Sequence, residues 1–312
     1  MSKQIVFFGT PKIAASCLQA LLDANIDVLA VVTKPDMPVG HKQKIKESAV
    51  KILAKQHNIL VLQPHKLNDI YNQLNELKAD LFIVCAYGKL INEKILRLPK
   101  FHCINVHTSL LPRWRGGAPI HYAILAGDKL SGISLMYMSK ELDAGNVIYQ
   151  QTIPIDQYET YHSLYDKLAK LAYHTLKNKI HSLFDLHIPS QSQDVSFVTF
   201  AKNINRTDEL IKWNNSNQQI ERQVRGLFDK PIASTFYENF NIKIHEAIAI
   251  NIDINNEPGT IIKIDKEGMD VACGNHKILR IIKLQLPSKK PLYIKAMING
   301  NHPFKINQKF TD

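Results

Sequence analysis

Blocks of apolar residues alternate with amphipathic segments along the first part of the chain. Continuous apolar runs, which are typical of strands buried on both faces, occupy residues 4–8, 28–33, 80–86 and 102–106. Apolar residues at helical spacing occupy residues 13–24, 48–57, 68–77, 119–125 and 161–184. This alternation predicts an α/β fold, with a doubly wound, mostly parallel open sheet of the Rossmann-like type.

The pattern changes after residue 188. Residues 188–194 are polar and include one proline and two serines, which predicts a linker. An amphipathic helix is predicted at 216–228, and short β-rich runs separated by turn signals follow at 242–244, 247–254, 260–264, 269–272 and 278–284. Closely spaced short strands predict a small, OB-like β-barrel. We therefore expect a first domain at 1–188, a linker at 189–205 and a C-terminal barrel domain at 206–312.

Composition supports two globular domains and excludes several other classes. The chain has 312 residues, of which 45% are apolar and 21% charged, so it is long enough for two cores. No apolar run approaches the roughly 18 residues of a membrane span. The first strand begins almost at Met1, and the four cysteines form no CxxC pair. These features predict a cytoplasmic protein with buried free thiols and no membrane contact, and we expect a monomer.

Charge points towards a polyanionic partner. The formal net charge is +11, and the excess is spread over both parts of the chain. A basic balance suits a partner such as nucleic acid, although many soluble proteins of this charge bind none.

Candidate chemistry lies around the predicted strand at 102–106. Asn105 and His107 are two residues apart, so the period of a strand places both side chains on one face. Asp143 lies in an acidic loop between two later β-rich segments. An amide and an imidazole could hold the oxyanion that forms when an amine attacks an acyl carbon, and a carboxylate could orient the imidazole or relay a proton. Because the amine is itself the nucleophile, this chemistry requires no serine or cysteine.

Each of these residues also has an ordinary structural interpretation. A histidine at a strand end is more often structural, and Asn or Asp there is often a turn residue. The turn after the first strand has one glycine, Gly9, rather than the three of a dinucleotide-binding loop, so we predict no nucleotide site there. No His/Cys cluster has the spacing of a zinc site, and we expect no metal.

A longer motif distinguishes the two interpretations. The string Asn-x-His-x-Ser-Leu-Leu-Pro at 105–112, followed by Trp-Arg-Gly at 114–116 and Leu-Asp-x-Gly at 142–145, resembles the folate-dependent formyltransferases. Further stretches resemble the methionyl-tRNA formyltransferases among them, at 5–11, 84–91, 112–120, 200–204 and 211–213. The resemblance spans nearly the whole chain and is weakest from about residue 229 onward.

The resemblance implies an activity and a set of site residues. The formyl donor would be 10-formyltetrahydrofolate, and the acceptor would be the α-amino group of methionine on initiator methionyl-tRNA, for translation initiation. Asn105, His107 and Asp143 would be catalytic. The folate would lie against Ser109, Leu110, Leu111 and Pro112, and its pterin would be held by backbone groups of Ala86, Tyr87, Gly88 and Gly145.

The same resemblance implies a tRNA-binding loop after the second strand. Residues 34–46 form a long basic stretch in which His41, Lys42 and Lys44 would face the acceptor stem. Where the family has an Arg-Gly-Lys-Lys-like run, this chain has His-Lys-Gln-Lys, which loses the planar fork of an arginine. The barrel would offer a second basic surface, and its Phe-Asp-Lys-Pro-Ile at 228–232 replaces an Asn-Pro-Trp-Pro-like string.

Two other functions stay open on the sequence. The same chemistry could act on another amine, such as an amino sugar nucleotide, because the three candidate catalytic residues do not identify the acceptor. The scaffold could also be a non-catalytic protein that binds RNA or folate. A glycinamide ribonucleotide transformylase is disfavoured because that role does not call for a second domain.

Overall fold

The computed structural model describes residues 3–39, 44–229 and 231–312 of the chain. These residues form two compact units. The first comprises Met1–Pro119, Leu130–Pro154 and Tyr165–Ala201, and the second comprises Ile120–Lys129, Ile155–Leu164 and Lys202–Asp312. The division at 188 and 205 predicted above stays a prediction, and the units differ from it because two short early segments belong to the second unit.

The strands of the first unit are β1 Gln4–Gly9, β2 Asp27–Val32, β3 Met37–Val39, β4 Lys44–Lys46, β5 Leu60–Leu62, β6 Leu81–Cys85, β7 Cys103–His107, β8 Arg115–Gly116, β9 Leu130–Tyr137, β10 Val147–Pro154 and β11 Phe200–Ala201. The helices of the whole chain are α1 Lys12–Asp23, α2 Ala49–Gln56, α3 Tyr71–Glu76, α4 Glu93–Leu96, α5 Pro119–Ala126, α6 Tyr161–Lys179, α7 Arg206–Glu209, α8 Asn217–Gly226 and α9 Ile294–Met297.

The main sheet of the first unit confirms the predicted Rossmann-like fold. Within the described residues it has seven strands in the order β10-β9-β7-β6-β1-β2-β5. The five strands from β7 to β5 are parallel, whereas β9 and β10 join antiparallel at the other edge. The continuous apolar strands β1, β6 and β7 are almost fully buried, as expected for central parallel strands.

Helix ends follow local side-chain chemistry. The Ser48 hydroxyl accepts a hydrogen bond from the Lys51 N–H and caps α2, so the predicted helix at 48–57 is confirmed with its end residues as caps. In the second unit Ser216 and Gln219 form a capping box at the start of α8. The helix predicted at 161–184 is α-helical only to Lys179, and a 3₁₀ helix, Ile180–Phe184, completes it.

Part of the predicted linker at 189–205 is held against the first unit. Gln191 pairs with Val147 at the start of β10, and β11 pairs parallel with β8. Backbone hydrogen bonds also join Arg115 to Thr199 and Ala118 to Ala201. Residues 191–201 are therefore held at one end by Val147 and at the other by the segment around residue 115.

The second unit is an antiparallel sheet that curls on itself. Its strands are β12 Ser234–Tyr237, β13 Phe240–Ile250, β14 Ile261–Asp265, β15 Gly268–Ala272, β16 Ile278–Gln285, β17 Leu292–Tyr293 and β18 Phe310–Thr311. The order is β14-β15-β16-β13-β12-β18, with β17 beside β16, and a bridge between Thr260 and Lys309 joins the two ends. The predicted barrel is confirmed.

One predicted gap in this unit is a bulge. The run at 242–244 and residues 247–250 of the next predicted run belong to a single strand, β13, whose pairing with β16 shifts register between Ile244 and Ala247. Residues 251–254, predicted to continue the second run, follow the end of this strand. The core inside the curl includes Trp213, which stacks on Phe310 and donates its indole N–H to the Thr235 hydroxyl at 2.9 Å. Among the described residues, no helix combines the length and apolarity needed to cross a bilayer.

Candidate active site

Strand β7 places Asn105 and His107 on one face of the sheet. It lies between β6 and β9, and Val84 of β6 pairs with Asn105. Both side chains are almost fully buried. The strand extends through His107, one residue beyond the predicted end at 106, so both residues lie within the strand.

Asp143 reaches these two side chains from the loop between β9 and β10. Its Oδ1 accepts a hydrogen bond from Asn105 Nδ2 at 3.3 Å, and its Oδ2 lies 3.7 Å from His107 Nδ1. The Gly116 N–H also donates to Oδ2 at 2.8 Å. The structure therefore brings together the three residues that the sequence predicted to act as a group.

The second ring nitrogen of His107 faces a backbone acceptor. Nε2 lies 2.9 Å from the carbonyl oxygen of Trp114. The ring thus stands between a carboxylate and a carbonyl, and a protonated imidazole would donate towards both. Both ring nitrogens of His107 therefore face an oxygen atom.

Three residues of this region have a left-handed backbone conformation. Ala86, Trp114 and Asp143 have φ values of 46°, 65° and 48°. Such a conformation costs a residue other than glycine about 1–2 kcal/mol, so surrounding contacts must hold it. Gly145 is required for a different reason, because a Cβ there would lie 1.9 Å from the Tyr137 carbonyl oxygen.

The predicted folate residues 109–112 use their polar groups internally. The Ser109 hydroxyl donates to the Arg113 carbonyl at 2.6 Å, and Ser134 Oγ donates to the Ser109 carbonyl at 2.6 Å. Ser134 Oγ also accepts from the Leu111 N–H at 3.1 Å, and Gln150 Nε2 donates to the Leu111 carbonyl at 2.9 Å. The Leu111–Pro112 peptide bond is cis. This segment is suited to shape a wall rather than to donate hydrogen bonds.

The loop after β6 carries the other predicted folate residues. Because β6 and β7 are parallel and in register, this loop lies next to the end of β7. The Tyr87 ring is buried against Phe8 in the core, and burial raises the pKa of its hydroxyl to about 12. Only backbone atoms of Tyr87 are therefore offered to a ligand, and its carbonyl already accepts from the Thr10 hydroxyl at 3.2 Å.

Two side chains that sequence reasoning missed support the Asp143 loop. Gln193 Nε2 donates to the carbonyl oxygens of Asp143 and Gly145, both at 2.8 Å, and Gln193 Oε1 accepts from Arg115 Nε at 3.0 Å. Gln193 lies in a polar stretch with the composition of a linker, so no local pattern marks it. Arg115 is buried although its charge predicts exposure.

A cavity of about 540 Å³ adjoins this support. Its lining consists of Leu111, Pro112, Val147, Ile148, Tyr149, Gln150 and residues 189–194. Asn105, His107 and Asp143 do not line it, so we place the candidate chemistry at the three side chains and not in this cavity. Within residues 3–39, 44–229 and 231–312, no group of three or more His, Cys, Asp or Glu side chains is placed to hold a metal ion.

The predicted tRNA loop is described only in part. His41 and Lys42 lie outside the described residues, and Lys44 begins the short strand β4, which pairs with β3. The stretch predicted as a loop therefore contains two short strands that pair antiparallel.

Comparison with known proteins finds two family models that match this chain. The family model described as formyl transferase matches residues 3–180, and the model described as formyl transferase, C-terminal domain, matches residues 203–302. A methionyl-tRNA formyltransferase of Malacoplasma penetrans (strain HF-2) is 41% identical over 305 residues, covering 98% of this chain and 96% of that protein. A methionyl-tRNA formyltransferase of Staphylococcus aureus (strain bovine RF122 / ET3-1) is 41% identical over 308 residues, covering 98% and 99%.

The chain belongs to the methionyl-tRNA formyltransferase family. The predicted resemblance is thereby confirmed, as is its extent over nearly the full length. Among solved structures, an N-formyltransferase from Helicobacter canadensis, in complex with folinic acid and dTDP-3-aminofucose, superposes with a TM-score of 0.67. It covers 90% of this chain and 99% of its own, at 20% identity, and so it supports the fold of this methionyl-tRNA formyltransferase family member.

Proposed function

We propose that this protein transfers the formyl group of 10-formyltetrahydrofolate to the α-amino group of methionine on initiator methionyl-tRNA. The product, N-formylmethionyl-tRNA, would serve translation initiation. Relatives of that name at 41% identity support the acceptor. The observation that carries the chemistry is the contact of one carboxylate, Asp143, with both Asn105 and His107.

Asn105 would stabilise the oxygen of the formyl group as the amine attacks. Its amide nitrogen carries two hydrogens, and the bond to Asp143 uses one of them. The other would be donated to the oxyanion of the tetrahedral carbon. Removing one donor of this kind typically lowers turnover by about 10²–10³-fold.

His107 would act as an imidazolium held by Asp143. Its Nδ1 faces the carboxylate, and its Nε2 would exchange the Trp114 carbonyl for the oxyanion as negative charge develops. The Asp143 carboxylate would balance the positive charge of the imidazolium. The carboxylate, or a water that it holds, would receive the proton that the amine loses. The leaving nitrogen of the folate would take up a proton as its bond to the carbon breaks.

The wall at 109–112 and the loop at 86–88 are suited to a flat ring. The wall presents leucine and proline side chains, and its polar groups are satisfied within the protein. Ala86 and Gly88 have left-handed backbone conformations, so the peptide groups of this loop no longer follow the direction of the strand β6. A pterin needs fixed backbone donors and acceptors in an apolar cleft, which supports these residues as its site.

RNA contacts would come from the loop around His41, Lys42 and Lys44 and from the C-terminal barrel. On the barrel, Lys263, Lys277 and Arg280 form ion pairs with carboxylates, which offset their charge. Lys283 and Lys295 instead each lie over the half-exposed Tyr293 ring, at 4.8 and 5.5 Å from its centre. An aromatic ring beside two lysines suits contact with a phosphate backbone and a base.

The test is a transfer assay with competing acceptors. Purified protein would receive 10-formyltetrahydrofolate together with initiator methionyl-tRNA, elongator methionyl-tRNA or a nucleotide-linked amino sugar, and the formylated product would be measured. We expect formylation of the initiator tRNA and weaker binding at high salt. Transfer to the amino sugar alone would refute the proposed acceptor. Gel filtration and cell fractionation would test the further predictions that the protein is a monomer and cytoplasmic.

A further inference from the structure

Gln193 makes a set of contacts that its position in the chain does not predict. It lies in the polar stretch after residue 188, about fifty residues beyond the Asp143 loop. Its amide nitrogen donates to the carbonyls of Asp143 and Gly145, and its amide oxygen accepts from Arg115. Two acceptors on one side and a donor on the other fix the orientation of the amide, because its nitrogen can only donate and its oxygen can only accept.

These contacts converge on the backbone that aims the Asp143 carboxylate. Asp143 has a left-handed φ of 48°, so its carbonyl points in a direction that an ordinary loop residue would not adopt. Gln193 binds this carbonyl and the one two residues later, across the turn. On the other side of the carboxylate, the Gly116 N–H donates to Asp143 Oδ2, and Gly116 follows Arg115, the third partner of Gln193.

We propose that Gln193 is a positioning residue for formyl transfer, which sets the aim of the Asp143 carboxylate at Asn105 and His107. It touches none of the reacting groups that the proposed function assigns. It joins the loop at 143–145, which carries this carboxylate, to the strand β8, whose Gly116 N–H donates to the carboxylate. This inference rests on the proposed function for its kinetic consequences and on the geometry alone for its structural ones.

The first test compares side chains at position 193. Gln193→Ala removes all three bonds, and Gln193→Asn keeps the amide but is one methylene too short to reach both loops. Gln193→Glu keeps the length and replaces the donor by an oxygen that repels the two carbonyls. Gln191→Glu is the matched control, since it makes the same charge change on an exposed side chain of the same segment.

We expect all three position-193 variants to lower kcat by about 10–100-fold, because small displacements of catalytic groups have costs of this size. KM for tRNA should change less than about threefold, and Gln191→Glu should behave as wild type. A second measurement separates positioning from a general loss of structure. Gln193→Ala introduced into the Asp143→Asn protein should cause no further loss, because its effect passes through the carboxylate.

Equal losses in both backgrounds, a loss confined to KM, or activity within about twofold of wild type would each overturn the proposal. NMR of the substrate-free protein keeps this test independent of the acceptor. The ¹⁵N signals of the His107 ring should shift in Gln193→Ala and Gln193→Asn and stay unchanged in Gln191→Glu. If the wild type formylates nothing, the proposed function fails, and the ring signals alone decide the role of Gln193: unchanged signals refute it.

Discussion

Replacing Asp143 by asparagine removes one negative charge from the centre of the candidate site with almost no change in shape. The Gly116 N–H still finds an oxygen acceptor, so the loop can keep its fold. In the wild type, Asn105 Nδ2 donates to Asp143 Oδ1. In the variant, this Nδ2 faces the new amide nitrogen of residue 143, and both are donors. If the Asn105 amide rotates to relieve this, its oxygen takes the place of the nitrogen, and the N–H group that would bind the oxyanion is displaced. The variant therefore affects both His107 and Asn105.

The size of the effect follows from the distance between the carboxylate and the imidazole. For a charge pair 3.7 Å apart, an effective dielectric constant of about 20 gives an attraction of about 4 kcal/mol. Both side chains are nearly buried, so solvent screens this attraction little. If the imidazolium forms in the transition state, we expect kcat to fall by about 10³-fold.

The assay is single-turnover formylation of initiator methionyl-tRNA at saturating folate and enzyme, with circular dichroism and a melting curve to confirm folding. Asp253→Asn makes the same chemical change at a carboxylate whose side chain is 85% exposed, and it should leave the rate unchanged. A folded Asp143→Asn protein that works within about tenfold of wild type would refute the assigned role of this charge.

Three further predictions concern other positions. Asn105→Ala should lower kcat by about 10²–10³-fold with folate binding retained, measured by kinetics and by fluorescence titration, and loss of folate binding instead would contradict an oxyanion role. Burial lowers the pKa of His121, whose ring stacks on Tyr161 and whose Nδ1 lies 2.8 Å from the Gly226 carbonyl, so the folded protein favours the neutral ring. Because an unfolded histidine binds a proton below about pH 6.5, the melting temperature should fall as pH drops below that value, and less so in His121→Phe; equal falls would contradict this assignment. All four cysteines are buried, and burial raises the pKa of the Cys103 and Cys273 thiols, so a disulfide reagent at about pH 8 should label none of them before unfolding.

The sequence predicted those parts of the fold that depend on local periodicity. Local residue spacing was sufficient to predict the buried parallel strands and the capped helix after Ser48. It was also sufficient to place Asn105 and His107 on the same face of a strand. The predicted break at 245–246 in the second unit has the same origin, because polar residues at a bulge interrupt the alternation while the strand continues.

Features that depend on partners distant in sequence were not predicted. The antiparallel direction of β9 and β10 depends on which edge of the sheet they join, and nothing in the sequence of these two strands indicates that edge. Asp143 was found through the resemblance, since a carboxylate before Ala-Gly is otherwise typical of a turn. Gln193 acts through hydrogen bonds to residues 78 and 50 positions earlier in the chain, and no local pattern marks such contacts.

Closure of the C-terminal sheet has a consequence for how the protein is made. The bridge from Thr260 to Lys309 and the pairing of β12 with β18 both use the last few described residues. Until the ribosome has synthesised that stretch, β12 and the residues before β14 expose unpaired backbone groups, and Trp213 lacks the Phe310 ring that covers it. The nascent second unit therefore cannot complete its sheet and core until this last stretch has been made, and its unpaired edges stay open to wrong pairing until then.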